Sequence, residues 1–464
     1  MSRKRLVVCC DGTWNKAETM TSISRLHDLV EPAGRDGLLQ LPKYIEGVGA
    51  GRFDRFRGGL FGVGLSDNIK QAYKWLVQNY APGDEIFCFG FSRGAYTARS
   101  LCGLLAASGL LQAASDVRID DAFEYYRTKP NEREKSKYHR RLAAVPRHTF
   151  EDGLQVKMLG VFDTVGSLGV PVPFLASLTQ WRRVAFHDTR LSALVEHAFQ
   201  ALAIDERRGP FRPALWTDVA RDPNGEPLDL EVAQVWFAGV HSDVGGGYRD
   251  KRLADVPFTW MLAQAARLGL YVRNDDPALV LDPDPYGRAH DSLSAGYKLA
   301  AWWPWIDENG PRPIGNGARP AKRRIAAPEA LHDSAEARVA DSEGKLAPDQ
   351  APYRPINLVD RDGRRLAQLA DLPVVDTPSD PASRPSGRER RRSARRSLSA
   401  DCTVDGAPGR LVNLSEHGVG VHLVGATEAP LAPGQAVLLE GEPSGRQPAR
   451  LVWRQGRELG LAFT

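Results

Sequence analysis

A short run of glycine and serine between a strand pattern and a helix pattern constrains this chain more than any other feature. Residues 85–89 (EIFCF) are mostly apolar, as expected of a strand that is covered on both faces of a sheet. Gly90-Phe91-Ser92-Arg93-Gly94 follows directly, and residues 95–107 have the composition of a helix. GxSxG alone occurs by chance, but strand, GxSxG and helix in this order predict a strained turn that presents Ser92 as a nucleophile above a sheet.

The first 270 residues alternate short apolar runs with helical patterns, including a helix predicted to begin after Ser66. This alternation is typical of an α/β fold with a mostly parallel sheet flanked by helices. The strands are predicted at residues 6–10, 43–46, 85–89, 156–162 and 234–240.

A serine nucleophile needs a base, and the base needs an acid that orients it. Asp163 directly follows the predicted strand 156–162, and His241 directly follows 234–240. Because groups just beyond the carboxyl ends of parallel strands converge on one crevice, we expect both side chains to lie near Ser92. The preferred roles are Ser92 as nucleophile, His241 as general base and then acid, and Asp163 as orienting acid.

Other acids and bases remain open from the residues alone. Asp243 also follows the strand 234–240 and is an alternative acid, with His290 as the alternative base. His332 is a weaker candidate for the base. For the oxyanion hole, we expect a backbone N–H of Gly12 or Thr13, just after the strand 6–10, together with the N–H of Arg93.

Bulk composition excludes several classes of protein. The chain has 464 residues, of which 42% are hydrophobic and 25% are charged, a globular composition that allows two to four domains. A net charge of only +4 argues against binding of a nucleic acid polymer. The five cysteines show no ligand spacing, so neither a metal site nor a disulfide framework is expected.

Two further patterns bear on location. The apolar run near the N-terminus is too short for a signal peptide, and no run approaches the length of a transmembrane segment. We therefore expect a cytoplasmic protein, with export by a route that needs no cleaved signal left open.

The chain divides by composition into three parts. Residues 1–365 are predicted to form the catalytic domain, and residues 366–387, rich in Pro, Ser and Asp, a linker. Residues 388–464 change to short strand patterns with Gly and Pro turns and no helical period, which predicts a small all-β barrel. Seven arginines lie between residues 384 and 396, at the boundary of this tail.

Four sequences in the first part resemble one bacterial and fungal α/β-hydrolase family, long of unknown function, that includes phospholipase effectors of type VI secretion systems. They are CCDGTWN, GFSRGAYTARSLCGLL, VFDTVGSLG and WFAGVHSDVGGGY, and the resemblance spans roughly residues 3–360. It implies an α/β-hydrolase fold and a cofactor-independent serine esterase or phospholipase activity. It also supports the assignment of Ser92, Asp163 and His241. The implied partners are an ester or phospholipid substrate and, through it, peripheral contact with a membrane.

The tail resembles the PilZ domain. The resemblance rests on an RxxxR pair, Arg391 and Arg395, followed by an NxSxxG motif made of Asn413, Ser415 and Gly418. It implies binding of the second messenger cyclic di-GMP as a regulatory ligand. The chemistry agrees, because planar, forked guanidinium groups bind phosphates and stack on bases.

The sequence thus predicts a serine hydrolase of the phospholipase or carboxylesterase type that is regulated by cyclic di-GMP. One alternative is a catalytically inert hydrolase fold that responds to cyclic di-GMP and acts by binding a partner. Another is a secreted antibacterial lipase effector.

Overall fold

The computed structural model describes most of the chain up to residue 378 and the backbone pairing of six strands beyond it. The described residues are 3–12, 20–47, 61–112, 116–165, 190–220, 230–273, 281–293, 310–314, 329–341, 344–346, 350, 352–360, 364–366, 369, 372–378, 396–404, 407–415, 418–423, 436–441, 445–455 and 458–463.

The first twelve strands precede the tail. In chain order they are β1 Lys4–Cys10, β2 Leu39–Ile45, β3 Glu85–Phe91, β4 Leu110–Leu111, β5 Arg147–His148, β6 Val156–Phe162, β7 Arg190–Leu191, β8 Val195–Ala203, β9 Asp218–Val219, β10 Glu231–Phe237, β11 Glu329–His332 and β12 Val374–Val375.

The helices of the described residues all lie in the same part of the chain. They are α1 Ser22–Leu29, α2 Phe61–Asn79, α3 Arg93–Ser108, α4 Asp116–Arg127, α5 Lys137–Ala143, α6 His241–Gly245, α7 Arg252–Arg267 and α8 Asp333–Val339, with short 3₁₀ helices at Pro130–Glu132 and Gly209–Phe211.

Eight strands form one sheet in the order β12-β11-β10-β8-β6-β3-β1-β2, and every pairing described within it is parallel. The predicted mostly parallel α/β sheet is therefore confirmed. From β1 the chain first adds β2 on one side and then β3 on the other, so the strand order reverses between β1 and β3. Such a reversal opens a crevice at the carboxyl ends of the strands.

Helices cover both faces of this sheet, which explains why strands such as β1 contain unbroken apolar runs. On β1, Leu6, Val8 and Cys10 pack into one core with residues of α2, α3 and α4, whereas Val7 and Cys9 pack into another with residues of α1 and α7. Successive side chains of a strand point to opposite faces, so a strand between two helical layers has no polar face.

The predicted elements agree with the observed ones to different degrees. Strand 156–162 coincides with β6, and the strands predicted at 6–10, 85–89 and 234–240 overlap β1, β3 and β10. The strand predicted at 43–46 covers only the end of β2, and α2 begins at Phe61, five residues before Ser66. The structure adds β8, β11 and β12, which the apolar runs do not reveal.

The tail contains six antiparallel strands that close into a barrel: β13 Arg396–Val404, β14 Ala407–Ser415, β15 Gly418–Leu423, β16 Ala436–Gly441, β17 Gly445–Gln455 and β18 Glu458–Phe463. Asn413 and Ser415 lie on β14, and Ser415 pairs with Gly418 of β15, so the NxSxxG motif spans one hairpin. Arg391 and Arg395 lie outside the described residues.

Strand β12 falls within 366–387, so the sheet extends into the range that the sequence assigns to the linker.

Among the described residues, no helix combines the length and apolar character that crossing a bilayer requires.

Candidate active site

Ser92 occupies a strained turn between β3 and α3. Its backbone dihedrals are φ 56° and ψ −120°, a conformation that residues other than glycine rarely adopt. The serine side chain makes no capping bond to α3, although the residue stands at the N-cap position. Backbone strain of this kind in a buried serine is typical of a functional turn.

Close backbone packing requires both glycines around this serine. A Cβ at Gly94 would lie 2.1 Å from the carbonyl oxygen of Cys10, at the end of β1. A Cβ at Gly90 would lie 2.5 Å from Cα of Ala95. Because these contacts are with backbone, no side-chain rotation relieves them, and the GxSxG pattern follows from sterics.

Asp163 directly follows β6, the strand next to β3. It has a positive φ of 41°, and its side chain is fully buried. Its Oδ2 lies 2.5 Å from Nδ1 of His241, and its Oδ1 accepts a hydrogen bond of 3.1 Å from the backbone N–H of Ala203. The predicted orienting acid and the predicted base are therefore in direct contact.

His241 is the first residue of α6, the short helix after β10. Its ring lies 4.7 Å from the ring of Phe91, the residue before Ser92, and 4.9 Å from that of Phe211. Gly245 allows this approach, because a Cβ there would lie 1.9 Å from the Phe91 ring. The end of α6 thus packs on Phe91, the residue before Ser92, and His241, Asp163 and Ser92 all follow strands that end at the same edge of the sheet.

The alternative acid and base form a separate pair. His290 Nδ1 lies 2.6 Å from Oδ1 of Asp243, and the His290 backbone N–H donates to Oδ2 at 3.0 Å. Tyr248 stacks on the His290 ring at 3.7 Å. Asp243 therefore orients His290, while Asp163 orients His241.

His332 lies elsewhere, at the end of β11. Its ring stacks on Phe237, and its Nδ1 lies 2.8 Å from the hydroxyl of Ser334. Burial lowers the pKa of His332 to about 4, which keeps it neutral at physiological pH.

The carboxyl end of β1 also reaches this edge of the sheet. Asp11 is buried there, and its carboxylate accepts hydrogen bonds of 2.6 Å from the Gly12 N–H, the Thr21 hydroxyl and the Tyr44 hydroxyl. The Gly12 N–H, predicted for the oxyanion hole, thus points at a carboxylate in this structure. Thr13 lies outside the described residues, and Arg93 is the first residue of α3.

Sequence reasoning missed Arg312, which the fold brings to Asp163 from 149 residues away. Its Nη1 donates to Oδ1 at 2.5 Å and its Nη2 to Oδ2 at 2.9 Å, so the contact is bidentate. Burial acts to raise the pKa of Asp163, but the Arg312 charge and the hydrogen bonds from His241 and Arg312 outweigh burial and hold that pKa well below its usual range. No local pattern around residue 312 indicates this contact.

Sequence reasoning also missed Glu206, an acidic residue that lies three residues after β8. It is fully buried, accepts a hydrogen bond of 3.3 Å from the His241 backbone N–H, and pairs with Arg208 at 2.8 Å. Burial acts to raise the pKa of Glu206, but hydrogen bonding to Arg208 and the Arg208 charge lower it overall. Recognition of β8 as a strand would have placed Glu206 near the crevice, since it follows the strand end as Asp163 follows β6.

In the part of the chain that the structure describes, no cluster of three or more His, Cys, Asp or Glu side chains could hold a metal ion.

The described geometry places a strained serine, a histidine and a buried aspartate at the crevice of a parallel sheet. A family model for the type VI secretion system (T6SS) phospholipase effector Tle1-like catalytic domain matches residues 4–264, more than half of the chain. The chain belongs to this Tle1-like family. Ser92, Asp163, His241 and Asp243 lie within the matched residues, whereas His290 and Arg312 lie beyond them.

A curated relative of this Tle1-like chain is the uncharacterized protein YEL023C of Saccharomyces cerevisiae. The two are 30% identical over 246 residues, which cover 48% of the present chain and 34% of the yeast protein. The chain therefore spans about a third of the length of this relative.

Two solved structures also align with the chain. An uncharacterized protein from Pseudomonas aeruginosa is 18% identical, with a TM-score of 0.36, and the alignment covers 60% of this chain and 47% of that one. The Tle1 effector bound to the VgrG spike of the type VI secretion system is 16% identical, with a TM-score of 0.37, and the alignment covers 61% of this chain and 78% of that one.

Proposed function

We propose that this chain is a serine hydrolase of lipid esters, with Ser92 as nucleophile, His241 as general base and then acid, and Asp163 as orienting acid. One observation carries the proposal: the 2.5 Å contact between His241 Nδ1 and the buried Asp163 carboxylate, beside the strained turn of Ser92. Membership in a family of phospholipase effectors favours a phospholipid substrate.

The proposed reaction follows from which ring nitrogen of His241 contacts Asp163. Because Nδ1 donates to the carboxylate, Nε2 is the nitrogen that accepts the Ser92 hydroxyl proton as Oγ attacks the ester carbonyl carbon. The tetrahedral oxyanion then collapses, the C–O bond to the alcohol breaks, and Nε2 returns the proton to the leaving oxygen. Water, activated by the same nitrogen, cleaves the acyl-enzyme and releases the fatty acid.

The oxyanion hole is proposed at the start of α3. The first N–H groups of a helix favour negative charge, and α3 begins at Arg93, directly after Ser92. Since the Gly12 N–H already donates to Asp11, the second donor that we propose is the N–H of Thr13.

Hydrolysis of defined phospholipid vesicles tests this proposal. With phosphatidylethanolamine and phosphatidylglycerol vesicles, we expect the wild-type chain to release fatty acid and Ser92→Ala to lose at least about 10³-fold in rate. Ser100→Ala is the matched control on the same helix, because the buried Ser100 hydroxyl has no hydrogen-bond partner among the described residues. Equal rates for Ser92→Ala and the wild type would favour the alternative of an inert hydrolase fold that acts by binding a partner.

For the tail, we propose a PilZ-like domain, residues 388–464, that binds cyclic di-GMP and regulates hydrolysis, joined by a linker within 366–387 to the catalytic domain, residues 1–365. The closed antiparallel barrel, with Asn413, Ser415 and Gly418 on one hairpin, supports this assignment. Arg391 and Arg395, just before β13, are the proposed phosphate ligands.

Calorimetric titration of the full chain with cyclic di-GMP tests the tail. We expect binding that is lost in the double variant Arg391→Ala/Arg395→Ala and kept in Arg446→Ala, which removes an arginine from β17. Absence of heat with the wild-type chain would overturn the assignment. Vesicle hydrolysis measured with and without bound ligand then tests regulation, and unchanged rates at saturation would refute it.

The family name also supports the alternative of a secreted antibacterial lipase, since the matched family is named after a secretion-system effector. We expect such a protein in the medium of wild-type cells and not in that of cells whose secretion system is inactivated. Retention inside both kinds of cell would instead favour a cytoplasmic enzyme.

A further inference from the structure

The chain after α7 returns to the candidate site and pairs with its acidic side chains. His290 contacts Asp243, the Ser292 hydroxyl donates to Glu206 at 2.9 Å, and Arg312 contacts Asp163. His290, Ser292 and Arg312 all lie between residues 281 and 314, beyond the stretch that the family model matches. Of these contacts, that of Arg312 bears most directly on the proposed chemistry, because its acceptor is the aspartate that orients His241.

Arg312 is buried and makes several hydrogen bonds. Its side chain is 3% exposed, and besides Asp163 it donates to the carbonyl oxygens of Ala203, at 3.0 Å, and Phe211. The side-chain amide of Asn357 donates to the Arg312 carbonyl oxygen at 3.1 Å. A planar guanidinium fixed in this way determines the plane of the carboxylate that it grips with two parallel hydrogen bonds.

The contact between Arg312 and Asp163 also affects the charge that surrounds the His241 ring. A carboxylate beside an imidazole stabilises the protonated ring, and burial strengthens this effect. The positive charge of Arg312, shared with the same carboxylate, opposes it. The backbone N–H of His241 also donates to Glu206, whose carboxylate pairs with Arg208.

We propose that Arg312 is a positioning residue for the reaction, which fixes the plane of the Asp163 carboxylate that orients His241 and offsets the negative charge of that carboxylate beside the His241 ring. This inference rests on the proposed function. It assigns a role in the reaction to a residue that lies outside the stretch matched by the family model.

The pH dependence of ester hydrolysis tests the inference. We measure kcat and KM for a soluble short-chain ester from pH 5 to 9 in the wild type, Arg312→Met and Arg312→Lys. In Arg312→Met we expect kcat to fall about 10- to 100-fold with little change in KM, and the acidic limb of the kcat profile to move up by about one pH unit. Arg312→Lys keeps the positive charge but loses the bidentate hydrogen bonds of the guanidinium group. We therefore expect the acidic limb of the kcat profile near its wild-type position and kcat only partly restored.

The control is the Arg25–Asp255 pair between α1 and α7, a second arginine–aspartate contact in which both side chains are fully buried. Arg25→Met and Arg25→Lys should lower stability comparably without moving the limb. A folded Arg312→Met or Arg312→Lys protein with the wild-type profile and kcat would overturn the inference. Wild-type activity in Ser92→Ala would instead overturn the proposed function, so the two failures are distinguishable.

Discussion

At the residue scale, the neighbours of each buried carboxyl decide its charge. Asp163 has Arg312 and His241 in contact, so its pKa is lowered despite full burial. Asp205 accepts hydrogen bonds from the Gly239 N–H and the Tyr353 hydroxyl but has no cation in direct contact among the described residues, and burial raises its pKa to about 6. Two aspartates at the same edge of one sheet thus differ in charge near pH 5.

Asp205 should therefore make stability depend on pH. The unfolded chain loses the Asp205 proton near pH 4, whereas the folded chain keeps it until about pH 6. The raised pKa thus makes this residue progressively destabilising as pH rises from 4 to 6. We expect the free energy of unfolding of Asp205→Asn, minus that of the wild type, to increase by on the order of 1–3 kcal/mol between pH 4.5 and 7.5. Urea unfolding at each pH measures both values.

Asp36→Asn serves as the control for this prediction. The hydrogen bond from Arg5 lowers the pKa of Asp36 to about 2, so this residue is mostly ionised in both the folded and the unfolded chain from pH 4.5 upward. The stability difference for Asp36→Asn should stay nearly constant over the same range. A constant difference for Asp205→Asn as well would contradict the raised pKa.

Residues of the candidate site differ in how far the sequence predicts them. Ser92, Asp163 and His241 each follow an apolar strand, and the geometry of a parallel sheet brings such positions together without further information. Arg312 belongs to no recognisable element, and its contact with Asp163 depends on the path of the whole intervening chain. Local patterns therefore predict side chains at strand ends and miss those supplied by long-range loops.

At the element scale, the sheet edge is held by backbone contacts between β1 and α3. The same turn geometry that strains Ser92 places Gly94 against the carbonyl of Cys10. Strands with continuous apolar runs, such as residues 6–10 of β1, are predictable because both faces are buried. β8 was missed because Glu196, His197 and Gln200 interrupt its apolar run, and these polar residues find partners only in the folded sheet.

Gly94→Ala should therefore separate α3 from β1. We expect a loss of about 3 kcal/mol or more in the free energy of unfolding, because the new Cβ meets backbone that cannot rotate away. Gly103→Ala, in the same helix, would meet the Tyr126 side chain at 2.9 Å and gains helix propensity, so its change should stay within about 1 kcal/mol. Similar losses in thermal or urea unfolding of the two variants would contradict this packing.

At the scale of the whole molecule, the bulk charge of +4 says little about function, while the position of charge says more. The arginine excess between residues 384 and 396 lies directly before the barrel, where the sensor proposal needs it. The order of the strands in the sheet, and hence the crevice between β1 and β3, is not readable from local periodicity. It arises from long-range pairing, which the sequence specifies only through the combined packing of all elements.

Covalent labelling tests most directly whether Ser92 is an activated nucleophile. We expect the wild-type chain, treated with a fluorophosphonate, to gain one adduct that peptide mass spectrometry locates on Ser92. His241→Ala should label at least about 100-fold more slowly, because the base is lost. A folded wild-type chain that gains no adduct, or gains it on another serine, would contradict the role of Ser92 as nucleophile.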